Sequence, residues 1–371
     1  MTNQPAPIFT PDRTMSSEFM QWAKTNLRAC FNLASSGLMN YPLAELPVRL
    51  EDLELSGPSY YGYEPLQKAL AAKTGAPIEC VVAATGTSMA NHLALAAMIE
   101  AGDEVLIERP TYELIVSAAE YLGARVKFFE RRHENDFQID AGEIERLVTP
   151  KTRLVVITNL HNPSSVYADE TVLRRIGAIA ERVGARVLVD EVYLDTMFAD
   201  APPPSFHLGE NFVVTNSLTK TYGLSGLRCG WILAASELAE KMNRLNDLFA
   251  ATNVHVAERL SLVALKNLET FRTRARNLLA ANRPLLNSFL DSRDDLEAVR
   301  TAHGSTSFPR LLKAEPEKFF ALLREKYETS VVPGRFFYAE NYFRIGITCD
   351  TEMLREGLER LSAALDEMKD L

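Results

Sequence analysis

From residue 80 onward the chain alternates between two patterns. Short apolar runs rich in Val, Ile and Leu occupy residues 80–84, 104–108, 125–129, 154–158, 186–190, 212–216 and 229–234. Amphipathic stretches such as 88–101, 113–122 and 170–183 separate several of them. Runs that are apolar at successive positions, rather than at every second one, predict strands covered on both faces. Such strands interleaved with helices predict an α/β fold with one large, mostly parallel, seven-stranded sheet and helices on both of its faces. Beyond residue 236 the pattern changes. Helical periodicity runs through 236–292, strands follow near 306–312, 330–332 and 342–347, and a last helix lies near 351–367. That section predicts a second, smaller α+β domain. Ahead of the sheet, residues 1–14 read as an extended, proline-containing arm and residues 16–28 as a helix. The division expected is an arm and part of the small domain over 1–45, a large domain over 46–255 and a small C-terminal domain over 256–371.

Composition adds limits rather than a new picture. A chain of 371 residues allows two domains at roughly 100–200 residues each. The net charge of −9 argues against nucleic acid or an anionic membrane as the main partner, since neither favours an acidic surface. A local basic pocket can still bind an anion. Cys30, Cys80, Cys229 and Cys349 lie far apart and form no CxxC pair or metal-like cluster, which predicts reduced thiols in a reducing compartment and no metal. The N-terminus has prolines and charges but no apolar core, and no run approaches the ~18 apolar residues of a membrane span. A cytoplasmic location is expected.

Ligands of open α/β sheets bind at the carboxyl ends of the strands, and the informative polar residues of this sequence fall there. Gly86, Thr87 and Ser88 lie between a strand and a helix, where backbone N–H groups and the helix dipole suit a phosphate; the plainer alternative is a helix cap by Thr87 or Ser88. Tyr112, in Arg109-Pro110-Thr111-Tyr112, is placed either to stack on an aromatic ring or simply to pack. Asn162 precedes Pro163 and is thereby kept out of the helical region, so its amide is available to a ligand unless the segment is only a turn; His161 beside it reads as structural. Asp190 ends an apolar run, where a carboxylate needs a partner such as a protonated ring nitrogen or serves as a helix cap. Tyr193 follows three residues later. The segment Ser217-Leu218-Thr219-Lys220-Thr221-Tyr222-Gly223-Leu224-Ser225-Gly226-Leu227-Arg228-Cys229-Gly230 is the most specific. Ser217 and Arg228 suit a phosphate, and an uncharged Lys220 amine can form an imine with an aldehyde. Arg344, on a strand of the small domain, offers a planar clamp for a carboxylate, or is a surface residue of a sheet edge.

Taken in chain order, these elements resemble the class I/II aminotransferases, the fold-type I pyridoxal 5'-phosphate (PLP) enzymes, over nearly the whole length. The resemblance implies a PLP-dependent transferase-like fold. It also implies that Lys220 holds the cofactor as a Schiff base and shuttles a proton, and that Asp190 pairs with the pyridine nitrogen. Tyr193 and Asn162 would bond the phenolic oxygen and Tyr112 would stack on the ring. Gly86, Thr87, Ser88, Ser217 and Arg228 would hold the phosphate, Arg344 the substrate α-carboxylate, and Gly37 would line the substrate pocket. A tyrosine from a second subunit, Tyr60 or Tyr61 with Tyr61 favoured, would reach the phosphate, so a homodimer with shared sites is implied. Two departures stand out. The usual Asn-Pro-Thr-Gly becomes Asn162-Pro163-Ser164-Ser165, and Arg335 occupies a place where a small polar residue is common. Arg335 meets either an acidic substrate group or, the preferred reading, a surface carboxylate.

Three activities compete. Transamination between an α-amino acid and a 2-oxo acid comes first. A PLP-dependent lyase or synthase, acting by β-elimination or cyclisation on the same scaffold, comes second. A PLP-sensing regulator comes last, because such regulators carry an added DNA-binding domain for which the residues before 30 leave no room. A dehydrogenase is disfavoured by the lack of a G-x-G-x-x-G after a strand.

Overall fold

The apolar runs do become the strands of a single sheet. The computed structural model describes residues 14–26 and 29–369. The arm expected over 1–14 lies outside the described residues except for Thr14, as do positions 27–28 of the expected first helix. Helix α1 (Glu18–Asn26) and a two-residue strand β1 (Phe31–Asn32) precede the main sheet. The sheet strands are β2 (Val81–Thr85), β3 (Glu104–Arg109), β4 (Arg125–Glu130), β5 (Thr152–Thr158), β6 (Arg186–Asp190), β7 (Phe212–Ser217) and β8 (Cys229–Leu233). Their order is β2-β8-β7-β6-β5-β3-β4, and all pairs are parallel except those made by β8.

Successive residues of one strand enter cores on opposite faces, as the two-residue period of a strand requires. Leu154, Val156 and Leu188 pack on the face covered by α3 (Gly86–Met98), α4 (Glu113–Tyr121) and α7 (Ser236–Asn246). Val155, Ile157, Val187 and Val189 pack on the other face, with α2 (Glu64–Thr74), α5 (Ala141–Leu147), α6 (Glu170–Arg182) and α8 (His255–Lys266). Burying each such side chain is worth about 1.5–3 kcal/mol, which is why these positions are apolar. Side chains also set where helices begin: Asp140 accepts from the Gly142 N–H and Asp169 from the Val172 N–H, the capping that short acidic residues supply.

The long helical stretch contains α7, α8 and then α9 (Leu268–Asp291). The C-terminal part adds β9 (Leu296–Glu297), β10 (Thr306–Ser307), β11 (Arg310–Leu311), α10 (Pro316–Glu325), β12 (Thr329–Ser330), β13 (Val332–Pro333), β14 (Phe343–Gly346) and α11 (Thr351–Lys369). Two expected strands are divided here. The run 306–312 breaks at Pro309, which has no N–H to give a ladder; its carbonyl accepts from Phe343 N instead. The run 330–332 changes partner: β12 pairs with β1, and β13 pairs with β14. Among the described residues no helix is long and apolar enough to cross a membrane.

Candidate active site

Six of the chain segments at one edge of the sheet converge on a cavity of about 300 Å³. At its floor, β2 runs into α3 through Gly86, which has a φ of 76°, a conformation open to glycine. A Cβ at Gly86 would collide with the Arg228 guanidinium, and a Cβ at Gly230 would lie 2.5 Å from the Gly86 carbonyl carbon. The two glycines therefore bring the start of α3 and Arg228 together, and Arg228 Nη2 donates to Thr85 O at 3.4 Å. Neither Thr87 nor Ser88 caps the helix; the residue ahead of it is Thr85, with no side-chain cap. The hydroxyls of Thr87 and Thr219 are buried and have no partner among the described residues. Ser217 Oγ accepts from Thr219 N at 3.2 Å. A helix start, a guanidinium and unpartnered hydroxyls make a donor set for an anion.

Asp190 ends β6 and is only 5% exposed. Asn91 Nδ2 donates to its Oδ2 at 2.8 Å and Val192 N to its Oδ1 at 3.0 Å. Asn91 is fixed in turn by Thr215 Oγ1, which donates to its Oδ1 at 2.6 Å. Burial pushes the carboxyl up to about 6, against the lowering by Asn91, by Val192 N–H and by Lys220. Lys220 follows β7, the neighbour of β6 in the sheet. Its Nζ donates to Ser36 Oγ at 3.2 Å, and the Tyr193 hydroxyl donates to the same oxygen at 2.7 Å.

Asn162 and Arg344 meet across the cavity. Arg344 Nη1 donates to Asn162 Oδ1 at 2.9 Å and Nη2 to Ala34 O at 3.1 Å, while Nε is buried without a partner among the described residues. Arg344 is thus buried, at 3% exposure, and is not a surface residue of a sheet edge. Asn162 is anchored by Thr158 Oγ1, which accepts from its N–H at 2.8 Å. Thr158 N and Oγ1 both donate to Glu108, each at 2.6 Å, and Glu108 forms an ion pair of 2.8 Å with Arg131 in which both side chains are wholly buried. The turn after Asn162 holds Ser165 at a φ of 63°, which costs a residue with a side chain roughly 1–2 kcal/mol. His161 is buried, with Nδ1 2.6 Å from Ser164 Oγ and Nε2 2.9 Å from Pro110 O, and burial holds its imidazole well below the usual value.

One wall is apolar. Helix α1 contributes Phe19, Met20, Trp22 and Ala23 to the lining, and Val332 continues it. Phe19 meets Tyr112 edge-on, with centroids 5.3 Å apart, and the Tyr112 hydroxyl donates to Met20 Sδ at 3.5 Å.

The cavity thus brings together Thr87, Ser88, Tyr112, Asn162, Asp190, Tyr193, Ser217, Lys220, Arg228 and Arg344. Gly86 sits behind Arg228. Gly37 is not in the lining, which Ser35 and Ser36 supply; a Cβ at Gly37 would lie 3.3 Å from Lys220 Cδ. Tyr61 lies outside the cavity and is 46% exposed, against 81% for Tyr60. Arg335 also lies outside it, paired with Glu317. Sequence reasoning missed Asn91, Ser36, Thr158 and the α1 wall. Only Asn91 left a trace, as a polar residue within the apolar stretch of α3.

Comparison with known proteins adds to this geometry. The sequence model of the family described as aminotransferase class I and II matches residues 51–361. Capreomycidine synthase of Streptomyces vinaceus is 29% identical over 96% of this chain and 95% of its own length. A crystal structure of a PLP-dependent aminotransferase from Streptococcus suis is 28% identical, with a TM-score of 0.89 over 96% of this chain and 98% of that one. The PLP-dependent cyclase OrfR is 25% identical, with a TM-score of 0.86 over 97% of this chain and 99% of that one.

Proposed function

Because the chain belongs to the aminotransferase class I and II family and is an enzyme dependent on pyridoxal 5'-phosphate, we propose that it transfers the amino group of an α-amino acid to a 2-oxo acid, with Lys220 holding the cofactor. The cavity's own chemistry fits that cofactor. Lys220 offers an amine for the aldehyde. The buried Asp190 carboxyl, raised to about 6, is relieved by a cation such as a protonated ring nitrogen. The unpartnered Thr87 hydroxyl, the start of α3, Ser88, Ser217 and Arg228 suit the phosphate. Tyr193 and Asn162 are assigned to the phenolic oxygen and Tyr112 to the ring face.

The observation that carries the reading is the convergence of Lys220, Asp190 and Arg344 on one cavity. Bound pyridoxal phosphate supplies an aldehyde that condenses with amines and a protonated ring that accepts the electron pair left when Cα loses a proton. Arg344 holds the substrate carboxylate, its unpartnered Nε adding a donor to those already engaged. The Lys220 amine takes the Cα proton and returns it on the way to product. Ser36, bonded to both Lys220 and Tyr193, orients the amine. Phe19, Met20 and Trp22 exclude water from the reacting atoms.

A second reading, elimination or cyclisation, has one specific support: the similarity to a synthase and a cyclase extends over nearly the full length of both. The two are separated by following isotopically labelled amino nitrogen. Incubation of the holoenzyme with labelled amino acids and an unlabelled 2-oxo acid is expected to move the label into the amino acid formed from the oxo acid. Label released as ammonia, or kept in a ring formed from the donor, contradicts transamination.

A homodimer with shared sites completes the proposal. Tyr61 is half-exposed outside its own chain's cavity, as a residue that serves a second subunit's site must be.

A further inference from the structure

Ser165 occupies a backbone position that glycine fills without strain, yet it carries a buried hydroxyl that is fully used. Its φ is 63°, and it is 3% exposed. Its Oγ donates to Thr306 O at 2.9 Å, and Thr306 N approaches the same oxygen at 3.3 Å. Thr306, 2% exposed, donates its own hydroxyl to Pro163 O at 2.9 Å, and the two hydroxyl oxygens are 2.9 Å apart. Gly304 closes over the pair, since a Cβ there would collide with the Ser165 side chain. A strained residue persists where the surroundings over-determine it, and such sites mark function more often than chance.

The position of these bonds says which function. Pro163 and Ser165 belong to the turn that carries Asn162. Thr306 lies on β10, which pairs antiparallel with β14 in the register Thr306↔Gly346 and Ser307↔Ile345. β14 carries Arg344, which donates to Asn162 Oδ1 at 2.9 Å. The interlocked hydroxyls therefore join the turn on the large sheet to the small sheet, a few residues from the point where Asn162 and Arg344 meet. Neither hydroxyl lines the cavity.

We propose that Ser165 and Thr306 are positioning residues that fix the Arg344 guanidinium against Asn162 and so set the geometry in which a substrate carboxylate is bound. This rests on the reading of Arg344 as the carboxylate clamp. Without the interlock the turn and the small sheet lose a joint beside the point where Asn162 and Arg344 meet, which weakens a bidentate contact whose donors are fixed in a plane.

The test is Ser165→Gly, a change that relieves backbone strain and removes the hydroxyl. The measurements are thermal unfolding, cofactor content of the purified holoenzyme, and calorimetric titration of the holoenzyme with the non-reacting carboxylate 4-methylpentanoate. The expected result is a Tm equal to or above that of the parent, unaltered cofactor content, and Kd for the carboxylate weakened about tenfold, the loss of roughly one hydrogen bond. KM for the amino donor rises in parallel while kcat holds within about twofold. Thr306→Val is expected to act in the same direction and Thr306→Ser to stay near the parent. An unchanged Kd in Ser165→Gly, or an equal loss in Thr306→Ser and Thr306→Val, overturns the proposal. Arg344→Lys separates this from the reading beneath it. If Arg344→Lys leaves carboxylate binding intact, the clamp assignment fails and the positioning role with it. If Arg344→Lys loses binding and Ser165→Gly does not, only the positioning role fails.

Discussion

At Asp190 burial and bonding pull in opposite directions. Desolvation raises the carboxyl, Asn91, the Val192 N–H and Lys220 lower it, and burial wins, leaving it at about 6 against 3.8 for an unperturbed group. The sign of the resulting pH dependence follows from where the proton is held. Between these values the folded, cofactor-free protein binds a proton that the unfolded chain has lost. The contribution is fully present below pH 3.8 and is lost as pH rises through about 6, to a total of roughly 3 kcal/mol. Asp190→Asn keeps the shape and cannot ionise. Denaturant unfolding of the cofactor-free protein is expected to show the stability difference between Asp190→Asn and the parent shift by about 3 kcal/mol in favour of Asp190→Asn as pH rises from below 3.8 to above 6. Cofactor-loaded protein is expected to show the opposite order, because the charged carboxylate then has its cation. Glu191, raised by burial to about 7, is present in both proteins and drops out of the difference. Matching pH profiles for the two cofactor-free proteins contradict the assignment of Asp190 as an uncompensated buried acid.

Elements differ in how plainly the chain announces them. Most of the main strands are legible because both of their faces are buried, so that Val155 and Val156 are equally constrained to be apolar although they enter different cores; the edge strand β4, in which only Phe129 is fully buried, carries Arg125 and Lys127 among its apolar residues. The residues at strand ends are legible for the converse reason: Asp190, Lys220 and Asn162 are polar where an apolar run stops. Pairs between distant segments leave no local mark. Strand β1 consists of Phe31 and Asn32, and its partner is Thr329–Ser330, too short and too far away for either to show a period. The same holds for Glu108 and Arg131, two charges whose mutual burial is apparent only when β3 and β4 lie side by side. Ser36 is unremarkable in sequence and becomes part of the site only because the segment after β1 crosses the Lys220 loop, where Leu38 N donates to Lys220 O at 2.8 Å. Helix α1 reads as an amphipathic helix and nothing in its pattern says that its apolar face walls a site rather than a core.

On the scale of the whole molecule, the N-terminal segment ties the parts together. Leu33 N donates to Ser330 O at 2.9 Å, and Leu33 O accepts from Gly346 N at 2.7 Å. Tyr41 N then reaches Gly223 O at 3.1 Å, beside the Lys220 loop. The cavity is walled by α1, the large sheet and the small sheet at once, which is the placement ligand sites favour between packed units. The proposed dimer belongs to this scale. Sedimentation equilibrium of the holoenzyme is expected to give twice the chain mass, and Tyr61→Phe to release cofactor more readily on dialysis without altering that mass. A monomer, or retention unaffected by Tyr61→Phe, contradicts shared sites.

Whether one lysine carries the cofactor is decided by borohydride reduction of the holoenzyme followed by peptide mapping. A pyridoxyl group is expected on Lys220, and no covalent label in Lys220→Ala. A label on another lysine, or undiminished labelling of Lys220→Ala, would contradict it.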